Sequence, residues 1–323
     1  MNKLAGTIVS ALIGACACCA GAYAQGYPSK PLRFVVGFPA GGATDVVART
    51  ISQKLGESLG QPVLVDNRGG AASNIGAELV ATSPKDGHTI FMGTVSTSIN
   101  PSLYKKLAYD PLRDFTPVSR VSSTPFLFVV HPSLPARNVK EFIALAKSKP
   151  GELNYGSAGS GSGGHLFVEM FGSMARVKLT QVPYKGAAPA TTATLSGETL
   201  FMFDNIVTTL PLAKAGKLRA LAVTTATRSA AAPDMLTIAE AGVPGYDANA
   251  WFGVFAPAGT PQPVINRLNT EIVKIVKLPE MRERFLALGA EPVGSTAQEF
   301  GAFFRNEVEK WAKVVKTSGA QVD

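Results

Sequence analysis

The chain has 323 residues, of which 46% are hydrophobic and 17% charged, with 32 Gly and 22 Pro. This ordinary globular composition excludes disordered, collagen-like and coiled-coil chains, and at roughly 150 residues per domain it predicts about two domains, each able to bury a core. Lys and Arg outnumber Asp and Glu by 31 to 23, a net charge of +8, but the basic residues are scattered singly, which excludes a nucleic-acid-binding arm.

All three cysteines, Cys16, Cys18 and Cys19, lie in the first 19 residues, so thiol chemistry belongs to no later part of the chain. Around them Lys3 supplies a positive start, residues 4–15 an apolar core, and Ala22-Tyr23-Ala24 a small-x-small cleavage site. The pattern predicts an export signal over residues 1–24. Ile13-Gly14-Ala15-Cys16 reads alternatively as a lipobox with Cys16 lipidated; the Ala-x-Ala site just before the folded segment favours cleavage after Ala24. Removing 24 of the 323 residues leaves 299, and losing Lys3 leaves a charge of +7 and no cysteine.

The folded part opens with Leu32–Phe38, a short run of β-formers, then a glycine loop, then Thr44–Leu59 with Val47, Ile51, Leu55 and Leu59 on one helical face. Strand, loop and helix recur as Val63–Val65, a helix through Ala77–Thr82, and Thr89–Gly93 followed by a Ser/Thr loop. Phe126–His131 predicts a strongly apolar strand and Val139–Lys147 a helix. Further units follow at strand Leu153–Tyr155, helix His165–Met174, strand Lys178–Val182 and a helix within Ala188–Leu195. Leu200–Phe203, Leu218–Thr225 and Trp251–Ala256 read as strands. The last segment is helical over Val264–Lys277, Glu280–Leu288 and Thr296–Lys316, where Phe300, Phe303, Phe304, Val308, Trp311 and Val315 form a stripe expected to be core. Alternating strands and helices predict an α/β fold on a mostly parallel sheet. No linker separates two lobes, so the chain is expected to cross between them more than once, at Phe126–His131 and Trp251–Ala256.

Two loops carry the candidate chemistry. In Gly37–Asp45 the residues Phe38, Pro39, Ala40, Gly41 and Gly42 lead into a helix, with Thr44 as its expected cap and Asp45 in its first turn. Such a loop is either a tight turn without a ligand or an anion site built from the N–H groups of the helix start. Tyr155–His165 repeats the arrangement with Ser157, Gly159, Ser160 and His165. It formally contains G-x-G-x-x-G, but no acidic residue stands near position 184 to hold a ribose, and no P-loop or G-x-S-x-G elbow exists. Two such loops, one per lobe, would clamp a small acid across a cleft. Ser96 and Thr97 in the Ser/Thr loop, Tyr184 with Lys185, and the strand-end pair Asp204 and Asn205 complete the candidate ligand-binding set. His88, His131 and His165 lie in different segments without ligand spacing, which argues against a metal site and against triad chemistry.

These residues resemble the Bug proteins, the periplasmic solute-binding components of tripartite tricarboxylate transporters. The resemblance rests on Tyr27-Pro28-Ser29-Lys30-Pro31, Phe38–Asp45, Val65-Asp66-Asn67-Arg68, Asp86-Gly87-His88-Thr89, Asp114-Phe115-Thr116-Pro117-Val118, Tyr155-Gly156-Ser157, Val182-Pro183-Tyr184-Lys185-Gly186, Phe203-Asp204-Asn205 and Ala256-Pro257-Ala258-Gly259-Thr260-Pro261. It implies a two-lobed periplasmic-binding fold of the type II, Venus-flytrap kind, with residues 25–124 and 253–323 in one lobe and 125–252 in the other. It further implies a monomer in the periplasm that closes over a small carboxylate and delivers it to membrane permease subunits, with no cofactor and no catalysis. The alternative is an exported α/β-hydrolase-like enzyme using a serine of Tyr155–His165, although that loop lacks both an elbow motif and a histidine partner.

Overall fold

The computed structural model describes residues 26–322, so the predicted export signal and its cysteines lie outside the described residues. The first units form as expected: β1 (Leu32–Val36), α1 (Ala43–Leu59), β2 (Val63–Asn67), α2 (Asn74–Ala81) and β3 (Thr89–Thr94). β1 pairs in parallel with both β2 and β3. The four-apart stripe of α1, Val47, Ile51, Leu55 and Leu59, is buried, each side chain contributing about 1.5–3 kcal/mol. The helix stops at Gly60, whose φ of 72° is left-handed backbone that costs a glycine little.

After β3 the expected loop is instead a helix, α3 (Val95–Leu103). Its Ser and Thr residues are weak helix formers, but Thr94 and Thr97 close a capping box around its start, and Ile99 and Leu103 are buried. Packing and a good cap outweigh propensity.

Phe126–His131 lies at the end of a strand that is much longer, β4 (Phe115–Val130). Pro117 and Pro125 mask its first part, because proline cannot donate to a ladder. The register against β9 (Asn249–Pro257) shifts between Pro117 and Ser119 to accommodate one of them. From Phe115 to Pro125, β4 pairs with β9. From Phe126 to Val130 it pairs with β7 (Phe201–Asn205) and β8 (Arg219–Val223). With β5 (Asn154–Ser157), β6 (Thr180–Pro183) and the short β10 (Glu291–Pro292), the described residues form one sheet in the order β2-β1-β3-β9-β4-β7-β5-β6, with β8 and β10 joined to β4. The sheet is mixed rather than mostly parallel. Strands linked by helical crossovers pair in parallel, whereas every pairing of β4 or β9 is antiparallel.

Around β5–β8 lie α4 (Val139–Ser148), α5 (Gly163–Ala175), α6 (Ala187–Ser196) and α7 (Ile206–Lys214), and the chain ends with α8 (Gln262–Lys277), α9 (Pro279–Ala287) and α10 (Ala297–Ser318). One apolar cluster follows a single face of the sheet through both halves, from Val35 and Phe91 past Phe126, Phe128 and Phe167 to Phe300 and Trp311. The stripe of α10 is core, as its spacing predicts: Phe300, Phe304 and Trp311 are buried. Trp311 stacks on Phe167 of α5 at 5.2 Å, and Trp251 of β9 stands edge-on to Phe300, Phe303 and Phe304. Between the two indoles, Glu307 Oε2 accepts from Trp251 Nε1 and from Trp311 Nε1, each at 3.0 Å.

Candidate functional site

Five helices begin at one cavity. The starts of α1 (Gly42, Ala43, Thr44), α3 (Val95, Ser96), α5 (Ser162, Gly163, Gly164), α6 (Ala187) and α7 (Asn205) all line it, with Phe126, Trp251 and Phe252 as apolar walls. It contains about 590 Å³ of atom-free space, counting the open solvent at its mouth. The first N–H groups of a helix have no partner inside the helix, and each start carries about half a positive charge of dipole. Side chains satisfy part of this demand: Thr94 accepts from Ser96 N, Ser162 from His165 N and Asn205 from Val207 N. The starts of α1 and α6 have glycine caps, Gly42 and Gly186, and no side-chain cap bond. They lie side by side at the cavity, since a Cβ built on Gly42 would lie 3.9 Å from Ala187 Cβ. The cap at α1 is therefore Gly42 and not Thr44.

Among the described residues no Lys, Arg or His lines this cavity, and the one charged side chain is Asp204. Whatever anion enters is held by backbone dipoles and hydroxyl groups rather than by a fixed countercharge. Burial pushes the Asp204 carboxyl up to about 6, against hydrogen bonds from the Asn205 backbone and from Thr208 Oγ1 at 2.9 Å.

Of the residues singled out from the sequence, Phe38, Pro39, Gly42, Ser96, Asp204 and Asn205 line the cavity. Ala40 and Gly41 are exposed and do not line it. Asp45 faces inward on its own loop, accepting from Gly41 N at 3.1 Å, Arg49 Nε at 3.0 Å and Asn67 Nδ2 at 3.0 Å. It shapes the first glycine loop, and it withdraws the Gly41 N–H from any ligand. Thr97 Oγ1 accepts from Thr94 N and so serves the α3 cap.

The second loop is likewise turned onto itself. Ser157 Oγ accepts from Gln181 Nε2 at 2.7 Å, Ser160 Oγ donates to Gln181 Oε1 at 3.3 Å, and His165 Nδ1 accepts from Gly161 N at 3.1 Å. Burial lowers His165 to about 4, so its ring is neutral and holds the loop. Gly159 and Ser160, with Tyr184 and Lys185, line a neighbouring cavity that shares Phe38, Pro39 and Ala158 with the first. There Tyr104 Oη donates to Ser160 O at 3.0 Å, tying the end of α3 to the second loop. Among the described residues no serine hydroxyl of this loop is hydrogen-bonded to a histidine ring; Ser162 meets only the His165 backbone N–H, which is not the geometry a hydrolase would need.

The sequence reading left Gly163 and Gly164 out of the ligand-binding set, although the family resemblance leads one to expect bulkier residues there and a pocket widened by their bareness; they line the cavity and have a steric reason to be bare. A Cβ on Gly164 would stand 2.7 Å from Phe203 O, and one on Gly163 2.9 Å from a Val95 methyl. It also missed α7, which Pro211 disguises, although Asn205 before an apolar run is a helix-start signal.

Asp45 supplies a stability prediction. Burial raises its carboxyl, but the bonds from Arg49, Gly41 and Asn67 outweigh this and hold it below the ordinary value. A group depressed in the folded state stabilises above its unfolded pKa of about 3.9, and this contribution is lost as pH falls through the folded value. Asp45→Ala is expected to cost about 1–3 kcal/mol at pH 7, with the gap to the unaltered protein closing below about pH 4. Urea unfolding at pH 7 and pH 3 checks both parts.

Residues 47–320 match the family model described as "Tripartite tricarboxylate transporter family receptor". The Protein BugT of Bordetella pertussis is 37% identical over 301 residues, covering 93% of this chain and 92% of that one. Among solved structures, R. palustris Rpa4515 with adipate superposes with a TM-score of 0.89 at 41% identity, covering 92% of this chain and all of that one (100%). MatC from Rhodopseudomonas palustris with bound malate superposes with a TM-score of 0.85 at 34% identity, covering 90% and 100%. The expected two-lobed periplasmic-binding fold is the fold of these receptors, and with a family match running almost from the first helix to the last, the chain belongs to the tripartite tricarboxylate transporter family receptors.

Proposed function

We propose that the protein captures a small carboxylate, of the dicarboxylate, tricarboxylate or aromatic class, in the cavity where the five helices begin, and presents it to membrane permease subunits. The observation that carries this reading is the convergence of helix starts on a cavity without a cationic side chain among the described residues. The ligands named for the two similar structures, adipate and malate, are both dicarboxylates, and the family is one of periplasmic receptors rather than enzymes. Phe38, Pro39, Gly42, Ser96, Asp204 and Asn205 are assigned as ligand-facing. Gly41, Asp45, Thr97, Ser157 and His165 hold the two loops in shape, Gly159, Ser160, Tyr184 and Lys185 line the neighbouring cavity, and Ala40 is exposed outside both.

The lobes are assigned as residues 25–124 with 253–323, and 125–252, because β4 changes its pairing partners between Pro125 and Phe126. Closure is a hinge motion biased by the better contacts the ligand makes in the shut state. The mature protein is assigned as a monomer beginning after Ala24.

A thermal-shift panel of mono-, di- and tricarboxylates, aromatic acids and amino acids tests the reading. A ligand at 100 times its Kd adds about 2.7 kcal/mol, a rise in Tm of about 5 °C for a chain of this size. A flat response to every acid, with no carboxylate retained in native mass spectrometry, would sink it.

A further inference from the structure

Asp204 is out of place in a site for anions. It sits at the end of β7, is 7% exposed, and lines the cavity into which five helix starts point. Its Oδ2 accepts from Thr208 Oγ1, and among the described residues no cation answers its charge. The elements packed against β7 are β4, β5, α5, α6 and α7, and their titratable groups are engaged elsewhere or distant. Arg120 of β4 lies over the Phe303 ring, His165 of α5 holds Gly161, Glu169 of α5 accepts from Tyr155 Oη of β5, and Lys214 is exposed at the far end of α7. α6 has no titratable residue. From the facing loop, Asp45 is turned to Arg49. A ligand carboxylate brought into this cavity therefore shares it with a second carboxylate, and two such groups close together do not both stay ionised.

We propose that Asp204 is the specificity-determining residue of the cleft: it accepts a hydrogen bond from a second polar group of the bound acid. Acids that carry a donor there, such as a hydroxyl, amide or ammonium group, enter as they are, and dicarboxylates enter only with one added proton shared between the ligand and Asp204. This rests on the carboxylate-receptor reading above. The proton comes from solvent and no bond other than O–H changes. Burial already holds Asp204 near its neutral form at mildly acid pH, with a pKa of about 6, so above that pH both Asp204 and a dicarboxylate are ionised before they meet. Dicarboxylate affinity then falls about tenfold for each pH unit, as linkage requires for the uptake of one proton.

The test is calorimetric titration with adipate and with adipate monoamide, at pH 6.5 and 8.5, in two buffers of different ionisation enthalpy. Adipate is expected to take up about one proton per site at pH 8.5 and to lose about 100-fold in affinity between the two pH values. The monoamide, which brings its own N–H donor, is expected to change by less than about threefold with no proton uptake. Asp204→Asn removes the pH dependence for adipate and binds it more tightly than the unaltered protein at pH 8.5. Should that variant not fold, the comparison of the two ligands on the unaltered protein decides alone. Equal adipate affinity at both pH values without proton uptake overturns the role of Asp204 and leaves the receptor reading standing. Binding of citrate or benzoate but of neither probe overturns it too, and failure of every carboxylate to bind overturns the receptor reading itself.

Discussion

Gly42→Val is expected to weaken carboxylate binding by about 100-fold or more, equivalent to at least about 2.7 kcal/mol, while the unliganded protein keeps its melting temperature. Gly42 sits before α1 at φ −83° and ψ 168°, extended backbone in which valine is at ease. A Cβ there would meet Ala187 Cβ and Pro39 O at 3.9 Å, ordinary contact distances, so the main chain bears no strain. The two γ-methyls reach further, into the gap between the uncapped starts of α1 and α6, where the anion must approach N–H groups. Gly42→Ala is the control and is expected to bind within about threefold of the unaltered protein, since its single methyl stays in van der Waals contact. Titration calorimetry with the best acid of the thermal-shift panel reads both variants. Unchanged affinity in Gly42→Val would take the start of α1 out of the site.

The largest expected loss of stability is at Glu307. Its Oε2 accepts from the indole N–H of both Trp251 and Trp311, and all three residues are buried. Glu307→Leu keeps the volume but strands two buried donors, each at about 1–3 kcal/mol, for a total of about 3 kcal/mol. For a chain of this length that lowers Tm by about 5 °C. Glu307→Gln retains an acceptor and is expected to lose about 1 kcal/mol. The Lys310 contact at 3.9 Å is too long and too exposed to matter. Differential scanning calorimetry separates the outcomes, and a Glu307→Leu loss below about 1 kcal/mol would mean that the indoles find other acceptors.

Much of this architecture is legible in the residues because the signals are local. Val47, Ile51, Leu55 and Leu59 mark α1, and the strand–glycine–helix sequence around Gly37–Asp45 locates one wall of the site before any coordinates exist. The failures share a cause. Pro117 and Pro125 hide the first part of β4, and Ser/Thr-rich composition hides α3, because what makes them strand and helix is a partner more than a hundred residues away or a cap seen only in three dimensions. The site was half legible for a related reason. Residue types show which side chains can meet an acid, but Asp45 and His165 are consumed by bonds within their own loops and Ser157 by Gln181 of β6. Gly163 and Gly164, which line the cavity, are bare because a Cβ on either would strike Val95 or Phe203 O, and they carry no chemistry to notice.

The pairing of Phe115–Pro125 with Asn249–Pro257 also governs the order in which the molecule comes into being. The central ladder of the first half stays open until residues near 250 have been made, and α10 adds its aromatic stripe only at the very end. Contacts of such long sequence separation close slowly, because loop entropy is lost before they form. The ladder between Phe115–Pro125 and Asn249–Pro257 is therefore among the last parts of the sheet to close. In a family of periplasmic receptors, a ladder that closes late leaves the first half of the sheet incomplete, and so easier to thread, while the later residues are made.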